Sequence, residues 1–503
     1  MTSAKGKTIL HTVGQAALQQ DIAPHLPEPH VLSLSGSTSR RTVHEPGHTL
    51  EYYPHTYSTD GSTIENLRFA FKHEPLDLRI VHATMASIEP SKLEEWIRSE
   101  PTGTVSRRAW FFYEQLTGQT LDIEAVRTGN YVDALDTRRH YTADPINSPR
   151  YRVRDNLLGS AQLCPTVRRT LKLESMEKLG IAHEADAIAT KYNRGILARA
   201  VNFLYTKETR SSFAIEHEIP SSRREARFFQ ALRNARRFLP TNKRGLMELQ
   251  AAVVDPRYAA KDWRDFQNFV GETTRGFGEY VHFICPKPND VDALMQGWQF
   301  LTERLRTSAV DAVVAAAVSS FAFVFVHPFE DGNGRVHRFL IHAMLSARGY
   351  GPKELVLPIS AAMLRRRNLY DDALEAFSRP VLSCTDWEFD ENNAIRVKNE
   401  TADLFRFFDA TEQAEYLYDC VAEAVQVDFK EEADFVNLFD AGLRAVRAVV
   451  DMPDQRASLL VRLCMQNGGT VSHSKRKLFD ELTDAEFSQI EAAMQVVLSS
   501  HLS

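Results

Sequence analysis

Residues 323–339, FVFVHPFEDGNGRVHRF, place a dense group of polar side chains and two glycines directly after an apolar run. A packed core has no use for so many polar groups, because each one costs free energy unless it is hydrogen-bonded. A site that binds phosphate does use them. The residues that could carry such chemistry are His327, Asp331, Gly332, Asn333, Gly334, Arg335 and Arg338.

The spacing within this stretch predicts an anion hole at the start of a helix. Gly332 and Gly334 allow backbone N–H groups to approach a ligand, and the periodic run RVHRFLIHAMLSA begins a helix directly behind them. Arg335 and Arg338 share one face of the first turn, where cations are unfavourable unless an anion lies between them. Nucleotide phosphates would supply that anion, and Asp331 is an oxygen donor suited to Mg²⁺.

An apolar helix must position the histidine of this stretch. Residues 309–326 predict a buried helix that ends at the His-Pro pair, because Pro328 disfavours an α conformation in the residue before it. His327 is therefore expected at a rigid exit from helix to loop. The most apolar window, residues 312–326, is 15 residues long. It falls short of the roughly 20 residues that span a bilayer, so no membrane segment is predicted.

Other interpretations of the same residues exist. His327 could cap a helix, DGNG could be an ordinary turn and the arginines could be solvated. His327, His337 and His342 could be imagined as zinc ligands, but no ligand spacing supports that site. The combination of a histidine, an acid, an asparagine and two arginines between two apolar helices favours phosphate chemistry.

The segment HPFEDGNGRVHR resembles the signature of the Fic-domain family, His-Pro-Phe-x-Asp/Glu-Gly-Asn-Gly-Arg-x-x-Arg, and every specified position matches. The resemblance implies a helical core that transfers AMP from ATP, with Mg²⁺ or Mn²⁺, to a Ser, Thr or Tyr hydroxyl of a target protein. It implies that His327 is the general base and Asp331 the metal ligand. Asn333 and Gly334 would bind the α- and β-phosphates, and Arg335 and Arg338 the β- and γ-phosphates.

The segment SSFAIEHE, residues 211–218, resembles the inhibitory motif Ser/Thr-x-x-x-Glu-Gly/Asn of one Fic class. Ser212 and Glu216 match, whereas His217 replaces Gly/Asn. In that class the glutamate pairs with the second motif arginine, here Arg338, and blocks the γ-phosphate. We expect the same of Glu216, although a plain surface glutamate is the alternative.

A rival for the inhibitory motif is STIEN, residues 62–66, which contains Glu65 and Asn66. Gly61 stands there where Ser or Thr is expected. We favour Glu216 because the sequence around it is typical of a helix–turn–helix.

Two further segments resemble family elements. YVHFICPKP, with His282, Phe283 and Ile284, resembles the flap hairpin that holds the target by strand pairing, although it could be an ordinary surface hairpin. NLYDDAL resembles the segment that packs on the nucleoside, with Tyr370 as the stacking residue. A core tyrosine is the alternative there.

The chain as a whole predicts a mainly α fold with a helical N-terminal region, a helical core with a short hairpin, and a winged-helix-like C-terminus. The expected segments are a flexible extension (1–45), a mostly helical domain (46–165), helices carrying the inhibitory motif (166–240), the Fic core (241–385) and the C-terminal domain (396–503).

Composition limits the classes of function. Lys and Arg number 60 against 66 Asp and Glu, so the net charge of -6 does not indicate a general nucleic-acid binder. The five scattered cysteines fit a reducing compartment, and the N-terminus lacks a signal-peptide core, so a cytoplasmic location is expected. The sequence leaves the oligomeric state open.

Two functions therefore follow from the sequence. The first is an autoinhibited protein adenylyltransferase, with a target protein bound at the flap. The second is a DNA-binding regulator that uses the basic residues Lys475, Arg476 and Lys477 and keeps the Fic core as a sensor or remnant. The complete set of motif residues argues for the first.

Overall fold

The computed structural model describes residues 10–45, 47–235, 241–273, 279–353 and 355–499. Over these residues the fold is mainly α-helical, with four small sheets. Internal packing divides the chain into two compact units. Unit 1 comprises residues 1–179, 212–350 and 363–420, and unit 2 comprises residues 180–211, 351–362 and 421–503. All the site residues predicted from the sequence lie in unit 1.

Unit 1 begins with a four-stranded sheet and one helix, where the sequence predicted a flexible extension. The elements are β1 (His11–Val13), α1 (Gln15–Ile22), β2 (Val31–Ser37), β3 (Arg41–Glu45) and β4 (His48–Pro54). The strand order is β1-β2-β4-β3, with β2 parallel to β4. The expectation for residues 10–45 was wrong because Ser33 and Ser35 of β2 face inward and are fully buried. A serine-rich strand of this kind lacks the hydrophobic alternation that identifies a strand.

Four helices follow the sheet, as predicted for the N-terminal region. They are α2 (Thr63–His73), α3 (Leu78–Ser87), α4 (Pro90–Ser99) and α5 (Thr104–Thr117). α5 ends at Gly118, whose φ of 70° is readily adopted only by glycine. A small sheet then forms from β5 (Val132–Asp133), β6 (Ile146–Ser148) and β7 (Val153–Asp155).

The next helices precede the segment HPFEDGNGRVHR in the chain. They are α6 (Leu171–Leu179), α7 (Ile181–Thr190), α8 (Arg194–Ile215), α9 (Ser222–Asn234) and α10 (Lys243–Val253). α9 begins at Ser221, whose hydroxyl accepts a hydrogen bond from the Arg224 N–H. The helix–turn–helix expected around Glu216 is therefore present as α8 and α9.

A hairpin and a helical bundle surround the motif. β8 (Phe269–Thr273) and β9 (Glu279–Ile284) pair antiparallel, as predicted for a hairpin. They are followed by α11 (Pro288–Thr307), α12 (Ala312–Val326), α13 (Asn333–Ala347), α14 (Ile359–Arg365) and α15 (Arg367–Ser383). α12 is buried along most of its length, and the Asp311 carboxylate caps its first turn by accepting from the N–H groups of Val313 and Val314. A second hairpin, β10 (Trp387–Phe389) with β11 (Ile395–Val397), precedes α16 (Ala402–Arg406) and α17 (Thr411–Glu423).

The C-terminal part is helical, and the wing of the predicted winged helix is absent from its described residues. α18 (Lys430–Val449), α19 (Asp454–Gln466), α20 (His473–Arg476) and α21 (Asp484–Ser499) follow a π-helical turn, and residues 430–499 contain no strand. Gly468 and Gly469, with φ of 62° and 89°, end α19 instead of turning a hairpin. The Arg476 guanidinium pairs with Glu491 at 2.9 Å, which reduces the basic cluster proposed for DNA. Among the described helices, none is both long and apolar enough to cross a membrane.

Candidate active site

His327 lies where α12 ends, as predicted, but in an unusual backbone conformation. Its φ and ψ of 52° and 56° are left-handed, which is uncommon for residues other than glycine. Its Nδ1 lies 3.2 Å from the Val324 carbonyl oxygen, so the tautomer that donates there leaves the Nε2 lone pair available. Burial lowers the pKa of His327 to about 4. The imidazole is therefore neutral near pH 7, the state that a general base requires.

The loop between α12 and α13 is held closed by Asn333. Its amide donates to the Phe329 carbonyl at 2.8 Å and accepts from the Phe329 N–H at 3.0 Å. The side chain of Asn333 thus holds the loop, and the placement of Asn333 in the anion hole stays a prediction. The Asp331 carboxylate accepts from the Gly332 N–H at 2.6 Å, and Gly332 has a φ of 87°.

A carboxylate occupies the N-terminus of α13. The first N–H groups of a helix have no acceptor within the helix and carry partial positive charge, so this end attracts anions. A Cβ added at Gly334 would lie 2.3 Å from Glu216 Oε1, which shows how closely the Glu216 carboxylate approaches this turn. Any side chain at position 334 would exclude it. The Glu216 carboxylate therefore lies against the first turn of α13, the predicted anion site.

Glu216 also bridges the two motif arginines. Arg338 Nη2 donates to Glu216 Oε1 at 2.7 Å, and Arg335 Nε lies 2.7 Å from Glu216 Oε2. Arg338 further donates from Nε to the Ser212 hydroxyl at 2.8 Å and from Nη2 to the Ser212 carbonyl at 2.7 Å. The sequence predicted the contact of Glu216 with Arg338, but not the contacts of Ser212 with Arg338. The contact of Glu216 with Arg335 was not anticipated.

A second glutamate, Glu218, reaches the same site and was missed by sequence reasoning. Arg335 Nη2 lies 3.3 Å from Glu218 Oε1, and Arg224 donates to Glu218 Oε2 at 2.7 Å. Arg335 Nη2 also donates to Asp331 Oδ1 at 2.7 Å. Arg335 thus contacts three carboxylates, and the signal in the sequence was the second glutamate in Glu-His-Glu.

The end of α8 explains why the motif favours Gly or Asn after the glutamate. The Glu218 N–H donates to the Phe213 carbonyl, and the His217 N–H donates to the Ala214 carbonyl. This pair of bonds closes a helix with a left-handed residue at the first position beyond it. His217 takes that position with a φ of 56°, which Gly or Asn adopts at lower cost.

A known protein family matches the part of the chain that contains these arginines and His327. Residues 240–345 match the model of the Fic/DOC family. This chain carries a Fic/DOC family domain.

The chain is similar to curated proteins named protein adenylyltransferase Fic. The protein of Culex quinquefasciatus is 27% identical over 252 residues, which cover 48% of this chain and 45% of the relative. That of Drosophila melanogaster is 26% identical over 251 residues, covering 48% and 46%. The chain therefore spans about half the length of the curated relatives it matches.

Two solved structures with low scores complete the comparison. A Fic family protein from Desulfovibrio desulfuricans G20 has a TM-score of 0.38 at 17% identity, covering 62% of this chain and 88% of that one. A Fic domain containing signaling protein from Bacteroides thetaiotaomicron has a TM-score of 0.36 at 15% identity, covering 52% and 97%.

The rival glutamate, Glu65, lies outside the contacts of the Fic domain arginines. It occupies the first turn of α2, where its N–H donates to the Ser62 hydroxyl and its carboxylate lies 3.1 Å from Arg68. STIEN is therefore the capped start of a helix. Of the two candidates, the structure brings only Glu216 to Arg338.

The hairpin next to the Fic motif exposes different residues from those expected. Phe283 and Ile284 are buried, Phe283 against Phe377 and Ile284 against Ile395 of the second hairpin. His282 stays partly exposed, 3.8 Å from Glu272. Strand pairing of a target with this hairpin stays a prediction, and the side chains of Phe283 and Ile284 are covered by the protein itself. Val270 and Tyr280, at 43% and 62% exposure, are hydrophobic side chains of the hairpin that stay exposed.

Tyr370 is a buried core residue of α15. It is 6% exposed, stacks on the His337 ring at 6.3 Å and lies 5.8 Å from the Tyr416 ring, all centroid distances. Burial raises the pKa of its hydroxyl. The position predicted for nucleoside stacking is therefore filled by protein, because this side of α15 packs against α13.

The expectation of a Mg²⁺ or Mn²⁺ ion at Asp331 stays a prediction. In the part of the chain that the structure describes, no group of three or more His, Cys, Asp and Glu side chains could hold a metal ion. Mg²⁺ commonly binds one or two carboxylates together with substrate phosphates. The Asp331 side chain, 45% exposed beside the anion site, fits that role.

Proposed function

We propose that this protein is an autoinhibited adenylyltransferase that moves AMP from ATP to a Ser, Thr or Tyr hydroxyl of a target protein or of its own chain. The observation that carries the proposal is the Glu216 carboxylate paired with both Arg335 and Arg338 while it lies against Gly334 at the start of α13. A site that holds a carboxylate in this way is built to hold a phosphate. The neutral imidazole of His327 stands at the other end of the same loop.

The residues suggest how the reaction proceeds. Arg335, Arg338 and the N–H groups at the start of α13 bind the ATP phosphates and stabilise charge that develops on them. His327 Nε2 accepts the proton of the target hydroxyl, whose oxygen bonds to the α-phosphorus. The bond from the α-phosphorus to the oxygen of the β-phosphate breaks, and pyrophosphate leaves. A Mg²⁺ or Mn²⁺ ion at Asp331 would neutralise phosphate charge.

Glu216 accounts for the autoinhibition in this proposal. Its carboxylate and the γ-phosphate compete for the guanidinium of Arg338, because both are anions that need the same donors. The contact with Arg335 extends the competition to a second arginine. Productive binding of ATP therefore requires Glu216 to leave.

The hairpin β8–β9 supports a protein target. An extended segment can add to an exposed strand edge through main-chain hydrogen bonds. The exposed Val270 and Tyr280 would contact alternate side chains of such a segment, with His282 beside them. We propose this hairpin as the place where the target hydroxyl is presented to His327.

The test uses the purified chain, unmodified and with Glu216→Gly, in a lysate of its own cells. ATP labelled at the α-phosphate should leave label on protein after denaturation, and ATP labelled at the γ-phosphate should leave none. Label from the γ-phosphate would indicate phosphorylation instead. Parallel reactions with labelled CTP, GTP and UTP identify the nucleotide. No label from any α-labelled nucleotide with the Glu216→Gly protein would contradict the proposal.

A further inference from the structure

A buried arginine outside the Fic signature is joined to the catalytic histidine. Arg264 is 5% exposed and lies in the segment before β8. Its Nε donates to the His327 carbonyl at 2.8 Å, and its own backbone N–H donates to the Pro328 carbonyl at 2.9 Å. These two bonds bracket the His-Pro pair at which α12 ends.

The same guanidinium is joined to both ends of the hairpin. Nη1 donates to the Phe266 carbonyl at 2.8 Å, and Nη2 donates to the Pro286 carbonyl at 2.6 Å. Phe266 precedes β8 and Pro286 follows β9. One side chain therefore connects the base of the hairpin with the backbone of His327.

Burying Arg264 and holding His327 in a left-handed conformation both cost free energy. A buried guanidinium loses its hydration, and all three hydrogen bonds given above go to neutral carbonyls rather than to a carboxylate. The left-handed conformation of His327 is also unfavourable for a residue with a side chain. Strained residues of this kind persist where the surrounding structure holds them in place.

We propose that Arg264 is a positioning residue that holds His327 in its left-handed conformation and fixes the hairpin relative to it, so that base and target hydroxyl meet. The inference rests on the proposed function and extends it to a residue outside the signature. Arg264 acts through His327 and the hairpin, because its contacts are with their backbone carbonyls.

The charge of Arg264 adds a second effect. Arg264, Glu216 and Asp331 act electrostatically on the His327 imidazole. The two carboxylates favour the protonated imidazole, whereas the guanidinium disfavours it. Arg264 thus helps to keep the base unprotonated.

The experiment compares Arg264→Met and Arg264→Lys in the full chain carrying Glu216→Gly. Arg108→Met is the matched control, because Arg108 is also buried and donates to backbone carbonyls, those of Ala134 and Phe71, far from the motif in sequence. For each protein we would measure kcat and KM for ATP across pH, and the melting temperature. The pH dependence of His327 modification by diethyl pyrocarbonate, followed by peptide mass spectrometry, reports on the imidazole without any transfer.

We expect Arg264→Met to lower kcat by about 10²-fold, the effect of a reacting group displaced by roughly 1 Å. KM for ATP should stay unchanged, since Arg264 does not touch the anion site. The acidic limb of the kcat–pH profile, where kcat falls as His327 becomes protonated, should move to higher pH. The pH dependence of His327 modification by diethyl pyrocarbonate should move in the same direction. Arg264→Lys keeps the positive charge, so the acidic limb of the kcat–pH profile should not move. Its kcat should lie between those of Arg264→Met and the parent protein. Arg108→Met should lower the melting temperature alone.

Other outcomes overturn the inference. If Arg264→Met lowers the melting temperature and kcat but moves neither pH profile, Arg264 is only structural. If Arg264→Met does not fold, Arg264→Lys decides the question. An unchanged kcat in Arg264→Lys rejects the positioning role. A lowered kcat with an unchanged acidic limb of the kcat–pH profile supports it. If the Glu216→Gly parent transfers nothing, the proposed function fails, and the modification profile of His327 still decides whether Arg264 acts on it.

Discussion

Replacing Glu216 with glycine should convert a weakly active protein into an active one. In the unmodified chain the Glu216 carboxylate binds Arg338 Nη2 and lies beside Arg335 Nε, both at 2.7 Å. The substitution removes the anion that competes with ATP and leaves both arginines and the start of α13 ready for phosphate. We therefore expect transfer to rise.

The size of the increase follows from the contacts that are lost. A hydrogen bond to a charged group is worth about 1.5–3 kcal/mol. Both contacts come from one carboxylate whose side chain is 26% exposed, so we count them together at this value rather than adding them. Because about 1.4 kcal/mol corresponds to a factor of ten, productive occupancy by ATP should rise about ten- to a hundredfold.

The assay is the initial rate of α-label incorporation into the protein itself or its target, at ATP concentrations below saturation. Glu216→Gln keeps the size of the side chain and removes its charge, so it separates loss of the carboxylate from loosening of the helix end. Glu65→Gly is the internal control, because Glu65 contacts Arg68 and should have no effect.

Two results would refute this reasoning. If transfer rises with Glu65→Gly and stays flat with Glu216→Gly, the inhibitory glutamate has been misassigned. If neither substitution changes the rate, autoinhibition from within this chain is wrong. Activation by Glu216→Gly without activation by Glu216→Gln would show that the helix end, rather than the charge, controls the site.

Four further predictions use the Glu216→Gly protein or the unmodified chain. His327→Ala should reduce label incorporation by about 10²- to 10⁴-fold while ATP still raises the melting temperature. Transfer should stop in excess chelator, and Asp331→Ala should shift the Mg²⁺ or Mn²⁺ requirement or abolish transfer; full activity without metal would contradict this role. With Glu216 in place, His217→Gly should relieve the left-handed strain, raise the melting temperature and lower basal transfer. Because neutral imidazole is the active form, the rate should be retained through pH 6 and lost only as pH falls toward about 4; loss near the ordinary pKa of histidine would contradict the burial of His327.

Much of the candidate site is visible in the sequence because its residues are contiguous. His327, Asp331, Gly332, Gly334 and the arginines lie within one helix end, one loop and one helix start, so local periodicity predicts their arrangement. Ser212 lies in the last turn of α8 and Glu216 directly follows the end of that helix, so the short spacing keeps the two residues close together. Sequence patterns that span a few residues predict local conformation.

Other residues were placed wrongly or missed because their roles depend on distant packing. Tyr370 has the type of a stacking residue, and only its contact with the rings of α13 and α17 shows that it is buried. Phe283 and Ile284 belong to a strand whose partner surface, the second hairpin, lies more than a hundred residues further along the chain. Ser33 and Ser35 look like parts of a loose tail until β2 pairs with β4.

The amino-acid sequence by itself determined which chemical groups are present and how α12, the loop and α13 order them along the chain. The tertiary structure decided what these groups face. Glu216 meets Arg338 across 122 residues of sequence, and Arg264 meets His327 across 63. Local propensities act over a few residues, whereas such contacts form only when whole helices and hairpins pack. The competition for the arginines and the support of His327 therefore exist only in the folded chain.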